Sequence, residues 1–386
     1  MNFELSEEQQ ILVDSVKRFV QNDSTVERFR KLRETERAWE PAMWARMGEM
    51  GWLSVPFPEE HGGFGGSFVD LALILEQLGR GLVPEPIIPS VVLGGGLISR
   101  LGSEEQRERF LLPMIEGRTS LALAYAERQS RYDLADCLTR AESSGGVYRL
   151  SGEKTWVLNG HAADHLVVVA RTSGDQLDTT GLSLFVLDAD TPGLSITPVN
   201  GMDGQRTGRL ELDDVAVEAD RLLGAADAAL APLEWAIDRA AAAACAEGQG
   251  VVRELFERTV SYLKQREQFG VPIGSFQALQ HRAADMFAEA ELCQSCMILA
   301  AIQADAEDPE ERAAEISTAK FQLTQGGWFV QSNAIQLHGG IGITDEQDEG
   351  LFFKRLRVLQ GLFGDADHHS DRFQGLESFD AEARQA

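Results

Sequence analysis

The feature that most constrains this chain is a change of hydrophobic period followed by a change back. From about residue 226 onward, apolar residues recur at helical spacing in runs too long for an ordinary surface helix. One run extends from Leu233 to Gln268 and is broken by Phe269-Gly270-Val271-Pro272. A second covers Gln277 to Ala306, and a third covers Pro309 to Leu337 and closes at His338-Gly339-Gly340. A fourth spans Glu349 to Gly361. Long helices with short joints predict a four-helix bundle. Residues 119–225 are written instead at strand period, and residues 1–118 as helices separated by Gly/Pro loops. The expected fold class is therefore α+β, in three domains. These are an N-terminal helical domain (1–118), a middle antiparallel β-barrel or sandwich (119–225) and a C-terminal four-helix bundle (226–386). That order does not suggest a nucleotide-binding parallel sheet.

Local signals sharpen the outline. Ser6 with Gln9, and Ser103 with Gln106, have the spacing of capping boxes, and Pro41 suits a first helical turn. In the middle stretch, Val147 to Leu150 and Lys154 to Leu158 read as two strands around a Ser-Gly turn. Asn159-Gly160 then reads as a hairpin into the strand His165 to Ala170. The Ala/Asp/Glu-rich residues 301–316 read as a solvated bend, and the tail after Phe379 as frayed.

Charge and composition exclude several classes. Asp plus Glu number 61 against 35 Lys plus Arg, for a formal charge of −26. A surface that acidic repels phosphate backbones and anionic membranes, so neither nucleic acid nor a membrane is an expected partner. No run approaches ~18 uninterrupted apolar residues. The first eight residues lack the basic and apolar regions of a secretory leader, so the expected compartment is the cytoplasm. Four cysteines do not form a disulfide framework. Cys293 and Cys296 make a C-x-x-C inside a helical pattern without a second pair, which reads as packing thiols, with no metal site expected.

Three segments carry more specific information. Arg266-Glu267-Gln268-Phe269-Gly270-Val271-Pro272-Ile273-Gly274-Ser275-Phe276-Gln277 resembles the R-x-x-F-G-x-x-I-x-x-F-Q motif of the acyl-CoA dehydrogenase family. Gln336-Leu337-His338-Gly339-Gly340-Ile341-Gly342 resembles that family's Q-x-x-G-G-x-G, and Lys154 to Gly160 resembles its K-x-W-I-T-N-G strand. The segments Glu127–Asp136 and Leu362–His369 resemble the small-subunit type of pimeloyl-CoA dehydrogenase. The resemblance implies FAD as cofactor, an acyl-CoA substrate and an electron-transfer flavoprotein as oxidant. It also implies a tetramer, either homomeric or built with a second acyl-CoA dehydrogenase subunit. Arg266, Phe269, Gln277, Gln336, Leu337, His338, Gly339 and Gly340 are the implied FAD contacts, joined from the middle domain by Trp156, Leu158 and Ala126. Glycines allow main chain to approach a pyrophosphate, and an arginine can pair with it. The pattern departs from the family at Ala126, where a Thr is usual, and at Leu158, where a hydroxyl is usual. Asp365 stands where a Thr usually approaches the flavin.

The family reaction removes an α-proton as a hydride leaves the β-carbon, so a carboxylate must reach the α-carbon. In the commonest branch that Glu precedes a Gly in a C-terminal loop. Here the positions are Phe363 and Gly364, and phenylalanine takes no proton. The Phe363 N–H can still polarise a thioester carbonyl. A second branch places the Glu on the first bundle helix, at the position matching Ala240. Glu247 lies seven residues further, ~700° of rotation and ~10 Å along, so on nearly the same face. It is set among small residues, where a carboxylate needs a role or a partner. Glu247 is therefore the candidate base. The alternatives are a structural Glu paired with an Arg, or Asp238 as base. Arg128 and Arg131 are candidates for a distal substrate carboxylate, for CoA phosphates or for plain surface roles. His368 and His369 read as cap or surface residues, or else as switches. Two further readings remain: a non-catalytic subunit completing a partner's flavin site, and a flavin acyl-CoA oxidase.

Overall fold

The computed structural model describes residues 5–376. In chain order, the helices before the sheet are α1 (Glu7–Asn22), α2 (Val26–Leu32), α3 (Pro41–Glu49), α4 (Phe68–Arg80), α5 (Gly96–Leu101), α6 (Glu104–Gln106) and α7 (Leu112–Ile115). Eight strands follow: β1 (Leu121–Ala124), β2 (Arg140–Ser144), β3 (Val147–Leu158), β4 (His165–Arg171), β5 (Leu182–Asp188), β6 (Leu194–Asn200), β7 (Arg206–Glu218) and β8 (Leu222–Leu223). Next come α8 (Leu230–Gln265), the two-residue strands β9 (Glu267–Gln268) and β10 (Val271–Pro272), α9 (Gln277–Gln303), α10 (Pro309–His338), α11 (Glu349–Gly361) and α12 (Ala366–Gln374). This is the expected order of helical region, β region and helical bundle. None of the described helices is long and apolar enough to cross a membrane.

The chain divides into two compact units, one of residues 1–30, 68–83 and 241–386, the other of 31–67 and 84–240. In the second unit the sheet runs β6-β7-β3-β2-β4-β5-β8, with β1 added beside β4. It is antiparallel except where β1 and β2 each pair with β4 in parallel. Leu150, Leu166, Val168, Phe185, Leu210 and Val215 form its fully buried core. A π-helical stretch, Ile88–Gly95, lies against β1. The Ser90 hydroxyl donates to the Leu121 carbonyl at 2.8 Å and accepts from the Leu121 N–H at 3.0 Å. In the first unit α1 begins in the expected capping box, with Ser6 Oγ accepting from the Gln9 N–H at 3.2 Å. Gln9 also donates to Asp70 at 2.9 Å, tying α1 to α4.

Several local expectations need correction. Val147 to Leu158 is one strand, because Ser151-Gly152 forms a β-bulge and not a turn. A Cβ on Gly152 would lie 2.5 Å from Thr139 Oγ1. Asn159-Gly160 does not make a hairpin, since β2 lies between β3 and β4 in the sheet. Asn159 turns the chain at φ +58° and its amide oxygen accepts from Trp39 Nε1 at 3.0 Å. Tertiary bonding at that side chain overrides the turn propensity. The bend in 301–316 is confined to residues 304–308, because Asp308 caps α10 and Pro309 opens it. The tail after Phe379 lies outside the described residues.

Candidate active site

Glu247 lies on α8 where α4 crosses it, and glycines on both helices allow the approach. A Cβ on Gly79 would stand 2.1 Å from the Glu247 carbonyl oxygen, and one on Gly250 would stand 1.9 Å from that of Glu76. The Glu247 backbone is thus seated by contact with α4. Its side chain is buried and forms a fork with buried Arg355 on α11. Arg355 Nε donates to Oε1 at 2.6 Å and Nη2 to Oε2 at 2.9 Å. No other protein donor reaches this carboxylate among the described residues. Ala240 is buried and apolar, and Asp238 is buried on the same helix.

After α11 the chain turns at Phe363 (φ +59°) and Gly364 (φ +116°), both buried. A Cβ on Gly364 would lie 2.5 Å from the rings of His368 and His369, so glycine is required by space as well as by backbone. Lys320 on α10 is fully buried, and its ammonium donates to the carbonyls of Leu359 (2.7 Å), Gln360 (3.2 Å) and Leu362 (2.7 Å). A cation there satisfies carbonyls that a helix end leaves open. Burial pulls Lys320 down to about 8, against the opposing influence of Cys245 and Asp365. His369 lies between the Phe363 carbonyl (Nε2, 3.1 Å) and Ser317 Oγ (Nδ1, 3.2 Å). Burial, reinforced by Lys320, pushes its imidazole down to about 2, so it is neutral. A carbonyl only accepts, so Nε2 carries the proton and Nδ1 accepts from Ser317. Asp365 is the N-cap of α12, its carboxylate accepting from the His368 N–H at 3.0 Å. Its local structure therefore gives it a helix-capping role.

The remaining cofactor candidates of the first unit fall into two groups. Arg266, Phe269 and Gln277 are exposed around the β9–β10 turn, with Phe269 91% exposed and Arg266 making no ion pair among the described residues. Gln336, Gly339 and Gly340 are exposed at the end of α10, and a Cβ on either glycine would meet no atom within 4 Å. Leu337 and His338 turn inward instead: His338 Nδ1 lies 2.7 Å from the Ala334 carbonyl and its ring stacks on Tyr262. The open glycine backbone and the unpaired Arg266 fit a phosphate-bearing cofactor.

In the second unit, a second bulge in β3 separates neighbouring side chains. Strict alternation would put Lys154 and Trp156 on one face. The register shift between Lys154 and Val157 instead leaves Lys154 fully buried, Val157 buried and Trp156 64% exposed at φ +53°. A large exposed aromatic suits a flat ring system as partner. Ala126 and Leu158 are half-buried, and the Ala126 carbonyl accepts from the Thr155 N–H at 2.9 Å. Arg128 and Arg131 are exposed and make no ion pair among the described residues.

Models of the acyl-CoA dehydrogenase N-terminal, middle and C-terminal domains match residues 6–118, 122–215 and 231–372. A probable acyl-CoA dehydrogenase of Bacillus subtilis, YngJ, is 32% identical over 93% of this chain and 95% of its own. The chain belongs to the acyl-CoA dehydrogenase family. It is therefore an oxidoreductase acting on the CH–CH group of acyl-CoA donors, and the family's cofactor is FAD. Two similar solved structures name paired proteins. A variant of the Tcur3481-Tcur3483 steroid ACAD is 31% identical, with a TM-score of 0.86 over 98% of this chain and 99% of that one. The ChsE4-ChsE5 complex from Mycobacterium tuberculosis is 27% identical, with a TM-score of 0.87 over all of both chains.

Sequence reasoning passed over Arg355, Lys320 and Ser317. Lys320 left a faint signal as a lysine in a helix otherwise rich in small and apolar residues. Arg355, 108 residues from Glu247, left none. It also passed over Glu76, whose carboxyl is pushed up by burial against the opposing influence of Gln294, Arg253 and Arg80.

Proposed function

We propose that this acyl-CoA dehydrogenase is a catalytic subunit of a hetero-oligomer and that Glu247 takes the α-proton of the acyl-CoA. The observation that carries this reading is the incomplete hydrogen bonding of a buried carboxylate. A carboxylate offers about four lone-pair sites, and Arg355 occupies two. The loop position occupied by a carboxylate in the commonest branch holds Phe363, which contributes only its main-chain N–H. FAD, when bound, supplies the hydride acceptor. Arg266, Gln277, Gln336 and the main chain of Gly339 and Gly340 would hold it; Trp156 of the second unit is a separate candidate for packing on a flavin ring. An electron-transfer flavoprotein is the reading for the oxidant. A second acyl-CoA dehydrogenase chain is the reading for the partner, in line with the paired relatives. The substrate reading is an aliphatic, dicarboxylic or bulky acyl chain, with Arg128 and Arg131 available to a distal carboxylate or to CoA phosphates. The three-domain division, a cytoplasmic location and a role in lipid degradation complete it.

The specific observation on the other side is the Arg355 fork, which also suits a purely structural pair in a non-catalytic subunit. The deciding experiment is anaerobic titration of the protein with an acyl-CoA panel, following the oxidised-flavin band near roughly 450 nm, beside Glu247→Gln. Bleaching lost in the variant supports Glu247 as base. Bleaching retained moves the base to the partner and leaves this chain a scaffold.

A further inference from the structure

The ion pair that β3 buries in the second unit has a third member. Lys154 is fully buried, and its ammonium donates to Glu127 Oε1 at 2.7 Å and to the Tyr125 carbonyl at 3.3 Å. It also reaches Cys137 Sγ at 3.6 Å. Cys137 is a free thiol, 2% exposed, whose sulfur lies 3.4 Å from the same Glu127 oxygen and 3.5 Å from the Thr139 carbonyl. The backbone permits this approach. A Cβ on Gly152 would stand 2.5 Å from Thr139 Oγ1, so the bulge in β3 leaves room for the loop that ends in Cys137, Leu138 and Thr139. Glu127 already accepts from Lys154, Thr139, Leu138 and Gln129, so its charge does not need the thiol. A thiol, an amine and a carboxylate in one buried cluster are the two reactants and the proton acceptor of an oxidative link.

We propose that Cys137 and Lys154 form a modification site, at which hydrogen peroxide joins Sγ to Nζ through a single oxygen atom. The S–H bond and two N–H bonds of the ammonium break, and S–O and O–N bonds form. The pair gives up four electrons to two molecules of peroxide. One peroxide oxygen becomes the bridge, the other three leave as water, and one proton passes to Glu127. A bridging oxygen suits the 3.6 Å separation better than a direct S–N bond, which would pull two anchored groups much closer. Burial alone would raise the Glu127 carboxyl, and Lys154, first among its partners, brings it down to about 2. Once the amine is discharged Glu127 keeps the proton, so no lone charge stays buried. Burial also raises the Cys137 thiol, against the opposing pull of Lys154, so the thiolate is scarce and the link forms slowly. The link ties the loop before β2 to β3 and dissolves the ion pair.

The test treats the full-length protein, freed of reductant, with hydrogen peroxide. Remaining thiols are then blocked, and the chain is digested with trypsin without reduction and mapped by mass spectrometry. Residues 132–140 carry Cys137 and residues 150–171 carry Lys154, and neither segment contains methionine. The expected product joins these two segments, uncut after Lys154, at their summed mass plus one oxygen less two hydrogens. It is expected to be absent before peroxide, to be split by dithiothreitol, and to be lost in Cys137→Ser and in Lys154→Arg. Oxygen on residues 132–140 alone, with Lys154 still cut by trypsin, overturns the proposal, as does a link that lacks the oxygen. An unmodified Cys137 also overturns it when exposed Met202 has become the sulfoxide, which shows that the peroxide acted. If the variants do not fold, the wild-type map decides alone.

Discussion

The two units each bury an ion pair, and the pairs are finished very differently. In the second unit Glu127 accepts six donors: Lys154 (2.7 Å), Thr139 Oγ1 (2.7 Å), the N–H groups of Leu138 (2.8 Å) and Thr139 (3.0 Å), Gln129 (2.9 Å) and Cys137 (3.4 Å). Burial would push its carboxyl up, but Lys154 and these hydrogen bonds bring it down to about 2. In the first unit Glu247 accepts, among the described residues, only the two N–H groups of Arg355. A saturated carboxylate ties a loop to a sheet and has no lone pair left to use. One that is paired yet unsaturated is held in place with acceptor capacity in reserve. The difference teaches that burial and pairing leave the two carboxylates alike, whereas the count of remaining acceptor sites tells them apart.

The largest effect is expected from Glu247→Gln, with turnover falling on the order of 10²- to 10⁴-fold in anaerobic stopped-flow while the protein stays folded. Unchanged turnover would put Glu247 in the same class as Glu127 and break the contrast. Lys154→Met should do the reverse, costing about 3–5 kcal/mol in urea unfolding because Glu127 is left without its cation. A double variant with Glu127→Gln should recover part of that, and a loss near zero would mean the five remaining donors suffice. Gly250→Ala should cost roughly 1–3 kcal/mol by forcing α8 away from α4, read as a lower Tm. If Tm holds, the crossing adapts and does not seat Glu247.

Two pH effects are smaller; in both, stability rises with pH, but in separate windows. Glu127 is lowered from 4.5 to about 2 in the folded chain. Its contribution to stability is present above 4.5 and lost as pH falls through about 2, so Glu127→Gln should flatten that part of the acid unfolding curve. Lys320 is lowered from 10.5 to about 8. Between those values the unfolded chain binds the proton more tightly, so stability should rise with pH from about 8 to 10.5. Denaturant midpoints of wild type and Lys320→Met should differ in slope across that window, and equal slopes would mean the ammonium is not penalised by its burial.

Much of the fold was legible in advance because it is local. The capping boxes at Ser6 and Ser103, Pro41 opening α3, and the helix Glu349–Gly361 all appear where their spacing put them. Failures came where a non-local contact overrode a local signal. The amide of Asn159 is taken by Trp39, and the bulge at Trp156 breaks a period that any alternation rule assumes to be intact.

The site divides in the same way. Sequence alone determined that position 363 holds no carboxylate, that a Glu sits among small residues on a long helix, and that a Gly-Gly pair closes the third long helical run. Those statements depend only on residue type and helical period. Tertiary structure decided that Glu247 meets Arg355, that Lys320 and His369 hold the carbonyls at the end of α11 and in the turn after it, and that Trp156 faces outward. The physical reason is that a buried polar group must find its partner wherever packing provides one. For Glu247 that partner is 108 residues away.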